Sequence, residues 1–379
     1  MYYQLTEEQG RFKETVRRLA DERVEPRAAE IDQKGEFPWD IFELFKKQGY
    51  LGLSVPEVYG GQTSEHIYVC IAVEEVARVC VSSSLIIQVQ SLGILPVMIG
   101  GNEDQKKKYG GLASRGEKVM AFGLTEPEAG SDASLMKTRA ILKKDRYVLK
   151  GTKCFISNGP IATDIIVFAM TDPSKGARGI SAFIVTKEDS HFSIGKFESK
   201  MGIRGAPTAE IIFQDCEVPK ENLLGEEGKG FRIAMTTLDA TRPVIAGQAV
   251  GLAQGALERA IQYAKGRNQF GKPISEFQGI QWMLADMSSQ IEAARALTYQ
   301  AANLVDQNDP KKAYISACSK LIASEVAMKV TTDALQIAGG YGYITEFPFE
   351  RMMRDAKITQ IYEGTNQIQK LVIARELLR

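Results

Sequence analysis

Near the C-terminus stands Ile361-Tyr362-Glu363-Gly364-Thr365-Asn366-Gln367-Ile368, an acid between an aromatic residue and a glycine, just ahead of a helical pattern. The residues alone admit two readings. Thr365 can cap the last helix, leaving Glu363 a solvated acid beside its positive end. Buried instead, the same carboxyl has its pKa raised and becomes a general base. A second stretch, Gln336-Ile337-Ala338-Gly339-Gly340-Tyr341-Gly342-Tyr343, sets three glycines within four residues. That is a helix C-cap signal, and it also permits close backbone approach to a phosphate or ribose. A third, Gly123-Leu124-Thr125-Glu126-Pro127-Glu128-Ala129-Gly130-Ser131-Asp132, reads by itself as a turn. Arg267 carries a fixed charge of the kind pyrophosphate takes, although a lone Arg on a helix is ordinarily solvated.

Composition removes other chemistries. Only two histidines exist, His66 and His191, so a His-rich metal site is excluded and no metal is expected. The five cysteines form no CxxC pair, and their odd number fits reduced thiols in a cytoplasmic compartment. The 47 bases balance the 47 acids, which gives no basic excess for nucleic acid. The polar, charged N-terminus does not read as a signal peptide. No run approaches the ~18 apolar residues of a membrane span. The stretch from Leu85 to Met98 is interrupted by Gln88, Gln90, Ser91 and Pro96 and reads as a buried helix.

These residues need elements to hold them. Residues 1–120 read as helical: a capping box at Thr6 and Gln9, then helices near 39–49, 64–81, 83–99 and 103–109. Residues 121–226 carry short β-type runs at 146–149, 165–169, 181–185 and 210–213, between turn signals, which predicts an antiparallel barrel or sandwich. From 227 to 379 the helical period returns in long segments near 229–266, 276–307 and 311–338, with a last helix near 365–378. Long helices with short connections predict a four-helix bundle. The fold class is thus mainly α with a central β-domain.

Together the three motifs resemble the acyl-CoA dehydrogenase family, along essentially the full chain and in the same three-segment order. The resemblance implies FAD as cofactor, an acyl-CoA as substrate, electron-transfer flavoprotein as electron acceptor, and a homotetramer built as a dimer of dimers. It places Phe122, Leu124 and Thr125 along the flavin ring, with Phe155 and Ser157 also on the cofactor. Gly130 and Ser131 fall beside the FAD phosphates, and Ser131 also by the CoA. Arg267, Gln269, Phe270 and Gln278, with Gln336, Gly339 and Gly340, would hold the adenosine end of an FAD bound mainly by a neighbouring subunit, and Glu346, Arg351 and Asp355 follow in the same stretch. Glu363 would be the base that takes the α-proton, while the β-hydride goes to the flavin. Thr365 and Gln367 would touch the flavin, and Tyr362 and Gly364 the acyl group.

The acyl pocket would be faced by Ser84, Gln88 and Leu92, with Leu85 and Val89. Asp239, Thr241 and Arg242 match positions near the CoA pantetheine and the active-site wall; an ion pair within the helix is the alternative for Asp239 and Arg242. Some relatives carry the base at the position of Thr241, which here is not acidic. Relatives acting on glutaryl-CoA carry an arginine where this chain has Ser84, which argues against a dicarboxylic acyl group. Short straight, branched and alicyclic acyl groups all remain open. Two rival functions stand beside this one: an oxygen-reacting flavoenzyme of the oxidase type, and a non-catalytic acyl-CoA-binding protein.

Overall fold

The computed structural model describes residues 4–378; the first three residues of the polar N-terminal stretch lie outside them. The N-terminal part is helical: α1 (Glu7–Leu19), α2 (Ala28–Lys34), α3 (Trp39–Lys47), α4 (His66–Ala77), α5 (Val81–Gly100) and α6 (Glu103–Ser114). The capping box forms as read: the Thr6 hydroxyl accepts from Gln9 N at 3.2 Å, and Gln9 Oε1 accepts from Thr6 N at 3.0 Å. Helix α5 matches the helix read near 83–99 to within two residues at each end and runs on through Pro96. By length and composition it could cross a membrane, yet 78% of its apolar window is buried inside the protein.

Eight strands follow: β1 (Met120–Gly123), β2 (Arg139–Lys143), β3 (Arg146–Ser157), β4 (Asp164–Met170), β5 (Ile180–Thr186), β6 (Phe192–Phe197), β7 (Thr208–Pro219) and β8 (Leu223–Leu224). The expected antiparallel barrel does not form. The strands run in the open order β6-β7-β3-β2-β4-β5-β8, and β1 joins β4 in parallel. A single residue pair, Arg139 with Met170, joins β2 to β4. Local alternation predicts strands but says nothing about which edges meet, and closure is a matter of long-range pairing. Strands β1, β2 and β6 were not anticipated either: they are short, and β2 and β6 carry mostly solvent-facing side chains.

Helices α7 (Gly230–Gly266), α8 (Gln278–Asp306) and α9 (Lys312–Ala338) pack on one another, and α10 (Phe349–Ile358) and α11 (Asn366–Leu377) pack on α9. Helix α10 was not anticipated. The helical half is no self-contained bundle, because α4 packs against α7. Gly247, Gly251 and Gly255 make that contact possible. A Cβ on them would stand 3.1, 2.0 and 1.9 Å from the carbonyl oxygens of Cys70, Glu74 and Arg78. Glycines every four residues on one helix thus meet carbonyls every four residues on the other.

Candidate active site

A cavity of about 700 Å³ opens where α5, the strands and the α10–α11 connection meet. Two turns and one helix-lined wall supply its chemistry, each held by a specific device.

The first is the turn after β1. Parallel pairing with β4 fixes Phe122 and Gly123, and Phe122, Leu124 and Thr125 line the cavity. Behind them Lys153, fully buried on β3, donates to the Leu124 carbonyl at 2.9 Å and to Glu126 Oε1 at 2.8 Å. Burial pulls the Lys153 ammonium down to about 8, against the attraction of Glu126. Glu126 also accepts from the backbone N–H groups of Lys137 and Thr138, so one carboxylate ties the motif to the chain entering β2. The register of β3 on β7 slips between Lys153 and Ile156, and within that bulge Phe155 adopts φ +57°. Phe155 and Ser157 reach the cavity as a result, and so do Gly130 and Ser131.

The second is the turn carrying Glu363, which adopts φ +52° and is followed by Gly364 at φ +92°. Thr365 does cap α11, accepting from Ile368 N at 3.3 Å, so half of the simpler reading is right. The other half is not, because Glu363 is not a solvated acid. Its Oε2 accepts from the Thr241 hydroxyl at 2.6 Å, while Oε1 is sealed from solvent with no hydrogen-bond partner. Burial raises its pKa, and Thr241, Arg242, Lys320 and the nearby Gln88 amide oppose the shift without reversing it. Thr241 and Glu363, 122 residues apart in the chain, therefore share one spot. Tyr362, Gly364 and Thr365 line the cavity beside Glu363; Gln367 points to solvent.

The third is the wall formed by α5, expected from the sequence to face the acyl group. Gln88 and Leu92 line the cavity, with Leu85 and Val89. Ser84 does not. It lies one layer behind, fully buried, accepting from Gln248 Nε2 at 3.0 Å. Gln248 Oε1 in turn accepts from the Tyr362 hydroxyl. Arg242 lines the cavity while paired with Asp239 three residues before it, so the ion pair within the helix forms; Asp239 itself stands off the cavity.

Arg267, Gln269, Gly339 and Gly340 are elsewhere. They line a shallow cavity of about 540 Å³ on the outer surface, where Arg267 lies over the Tyr341 ring at 5.5 Å. Gly339 at φ +60°, ψ −133° takes a conformation that side chains avoid. Phe270, Gln278 and Gln336 are exposed and do not line it. Asp355, quoted with this motif, lies away from that surface. It is buried and accepts from Ile203 N at 2.6 Å, anchoring the 198–203 segment that borders the main cavity.

Sequence reading missed Lys153, Gln248 and Lys320. Lys153 and Lys320 left a trace: each is a lysine set among residues of a buried face.

The residues around the main cavity suit a flavin. The lining is largely apolar, Leu124 and Thr125 border it, and a partnerless buried carboxylate oxygen lies at one side. The chain matches the acyl-CoA dehydrogenase N-terminal domain over residues 6–117, the middle domain over 121–216 and the C-terminal domain over 228–378. It is 49% identical to cyclohex-1-ene-1-carbonyl-CoA dehydrogenase of Syntrophus aciditrophicus, covering 99% of this chain and 91% of that protein. Butyryl-CoA dehydrogenase from Megasphaera elsdenii superposes with a TM-score of 0.97 at 45% identity over 100% of both chains. An acyl-CoA dehydrogenase complexed with FAD from Bacillus anthracis gives 0.93 at 35% identity, over 99% of this chain and 67% of that one. The chain belongs to the acyl-CoA dehydrogenase family and is an FAD-dependent oxidoreductase.

Proposed function

We propose that the protein dehydrogenates a short, branched or alicyclic monocarboxylic acyl-CoA to the 2-enoyl-CoA, with Glu363 as the base that takes the α-proton. The observation that carries this is the Glu363 carboxyl: buried, raised in pKa, with one oxygen held by Thr241 and the other free of partners. A bound flavin supplies the acceptor for the β-hydride. The rest falls to the chain. Leu85, Val89 and Leu92 exclude water from the acyl group, which strengthens the base. Fixing one carboxylate oxygen through Thr241 restricts the side chain to a narrow range of aim, the positioning part of catalysis.

The shared chain Ser84–Gln248–Tyr362 backs the acyl wall with hydrogen bonds and no charge, which suits an uncharged acyl tail. Phe122 to Thr125, Phe155, Ser157 and Thr365 would hold the flavin ring, and the outer cavity at Arg267 and Gly339 the adenosine end of a neighbouring subunit's FAD. That division of the site calls for an oligomer, and a homotetramer, a dimer of dimers, is the form proposed. Electron-transfer flavoprotein is the proposed acceptor, since electrons must leave the reduced flavin, and a reducing compartment such as the cytoplasm suits five unpaired cysteines.

The test is anaerobic flavin bleaching by a panel of acyl-CoAs, straight, branched and alicyclic. Glu363→Gln should keep its FAD and its acyl-CoA affinity and lose about 10²–10⁴-fold in bleaching rate. Near-normal bleaching would move the base elsewhere. Fast reoxidation by air would favour the oxidase reading, and protein that cannot be loaded with FAD the non-catalytic one.

A further inference from the structure

The Glu363 turn has a partner that the mechanism above does not use. Lys320 sits on the buried face of α9, with no exposed surface. Its ammonium donates to the Gly364 carbonyl at 2.8 Å and to Asn366 Oδ1 at 3.1 Å. Asn366 Oδ1 also accepts from the Ser324 hydroxyl at 3.0 Å, and the Gly364 carbonyl also accepts from Gln369 Nε2 at 2.9 Å. The residues on both sides of Thr365, Gly364 by its carbonyl and Asn366 by its side chain, are thus fastened to α9. Among the described residues Lys320 forms no ion pair with a carboxylate.

A buried ammonium held by neutral oxygens alone is costly, several kcal/mol by desolvation. An apolar side chain of that length would fill the space without the penalty. What the charge does gain is proximity to Glu363. We propose that Lys320 is a positioning residue for the base: its ammonium clamps the left-handed turn that carries Glu363 and supplies a positive field behind that carboxyl. This rests on the reading of Glu363 as the base.

The surroundings fit. The groups around Glu363 are Thr241 and Arg242 on α7, Gln88 on α5, Tyr362 beside it and Lys320 on α9. Of these only Arg242 and Lys320 carry positive charge, and Arg242 is already paired with Asp239. Burial pulls the Lys320 ammonium down to about 7, with the Glu363 carboxylate holding it up and Arg242 pressing it further down. The two groups therefore sustain each other's charge. Removing the lysine charge disfavours the carboxylate, so the acidic limb of proton abstraction moves to higher pH.

The experiment uses FAD-loaded wild type, Lys320→Gln and Lys320→Met, with whichever of butyryl-, isobutyryl- and cyclohexanecarbonyl-CoA bleaches wild type fastest. Anaerobic bleaching is followed from pH 5.5 to 9, alongside FAD content and thermal unfolding. Lys320→Gln removes the charge and keeps a neutral donor on the side facing Gly364. Both variants should retain FAD and bind the thioester within about threefold of wild type. Their acidic limb should rise by about one pH unit, a tenfold loss of rate below it, and Lys320→Met should lose more at every pH because the clamp is gone as well. A limb unmoved in Lys320→Gln overturns the proposal. So does loss of FAD or of cooperative unfolding in both variants, which would leave Lys320 a structural role alone. Wild type that no acyl-CoA bleaches would instead sink the dehydrogenase reading.

Discussion

Glu363 gains its character from three neighbours that the motif around it does not contain. Thr241 binds one carboxylate oxygen, the Gln88 amide stands near the carboxyl, and Lys320 fastens the following carbonyl. Asp355 poses a related problem with a clear pH signature. Burial raises its carboxyl to about 7, opposed by the Ile203 N–H and assisted by the charge of Asp32. Its folded value thus lies above its ordinary 3.8, so from about pH 4 to pH 7 the folded state keeps a proton that the unfolded chain has released. Stability from this group is present in full below pH 4 and is lost as pH rises through 7. Asp355→Asn retains an acceptor for Ile203 N and removes the titration. Its Tm should match wild type near pH 4.5 and exceed it by several degrees at pH 8. Calorimetry at the two pH values decides, and parallel shifts would put the titration elsewhere.

The elements act through how closely they approach. Helices α4 and α7 touch backbone to backbone over three turns because Gly247, Gly251 and Gly255 present no side chain there. That contact sets the position of Gln248 behind the acyl wall and of Thr241 and Arg242 on the same helix. A methyl at Gly251 would lie 2.0 Å from the Glu74 carbonyl oxygen, so the helices must part. Gly251→Ala should cost about 1–3 kcal/mol, read from urea unfolding. Gly10→Ala on α1 is the control: nothing stands within 4 Å of its Cβ, and helix propensity favours it by about 0.5–1 kcal/mol. Equal behaviour of the two variants would contradict the close packing. The strand bulge at Phe155 is a second device of this kind, since only a slipped register turns that ring toward the cavity.

Across the whole molecule the proposed cofactor residues fall into two groups. One lines the main cavity and the other lies on the outer surface, where Phe270 stands 94% exposed at a tight turn with Gly271. An aromatic residue held in solvent at a positive φ of 52° is a costly arrangement for a lone subunit. On the tetramer proposed above, Phe270→Asp should shift the protein to smaller species and weaken FAD retention together. Light scattering with flavin absorbance checks both, and a tetramer of unchanged FAD content would separate the outer cavity from the cofactor.

Most of the helices, their order and the three motifs were legible in the sequence because each is a local matter. Helical periods, the Thr6 capping box and the Thr365 cap depend on residues within a few positions of one another. Candidate base, cofactor and family followed from motif residues standing side by side. Tertiary structure alone decided what lies between distant segments. It opened the expected barrel into a sheet with two free ends, set Ser84 behind the cavity wall, moved Asp355 under the 198–203 segment, and brought Thr241 and Lys320 to Glu363. Pairing of edges and burial of single charges depend on contacts between residues far apart in the chain, and no window of sequence contains both partners.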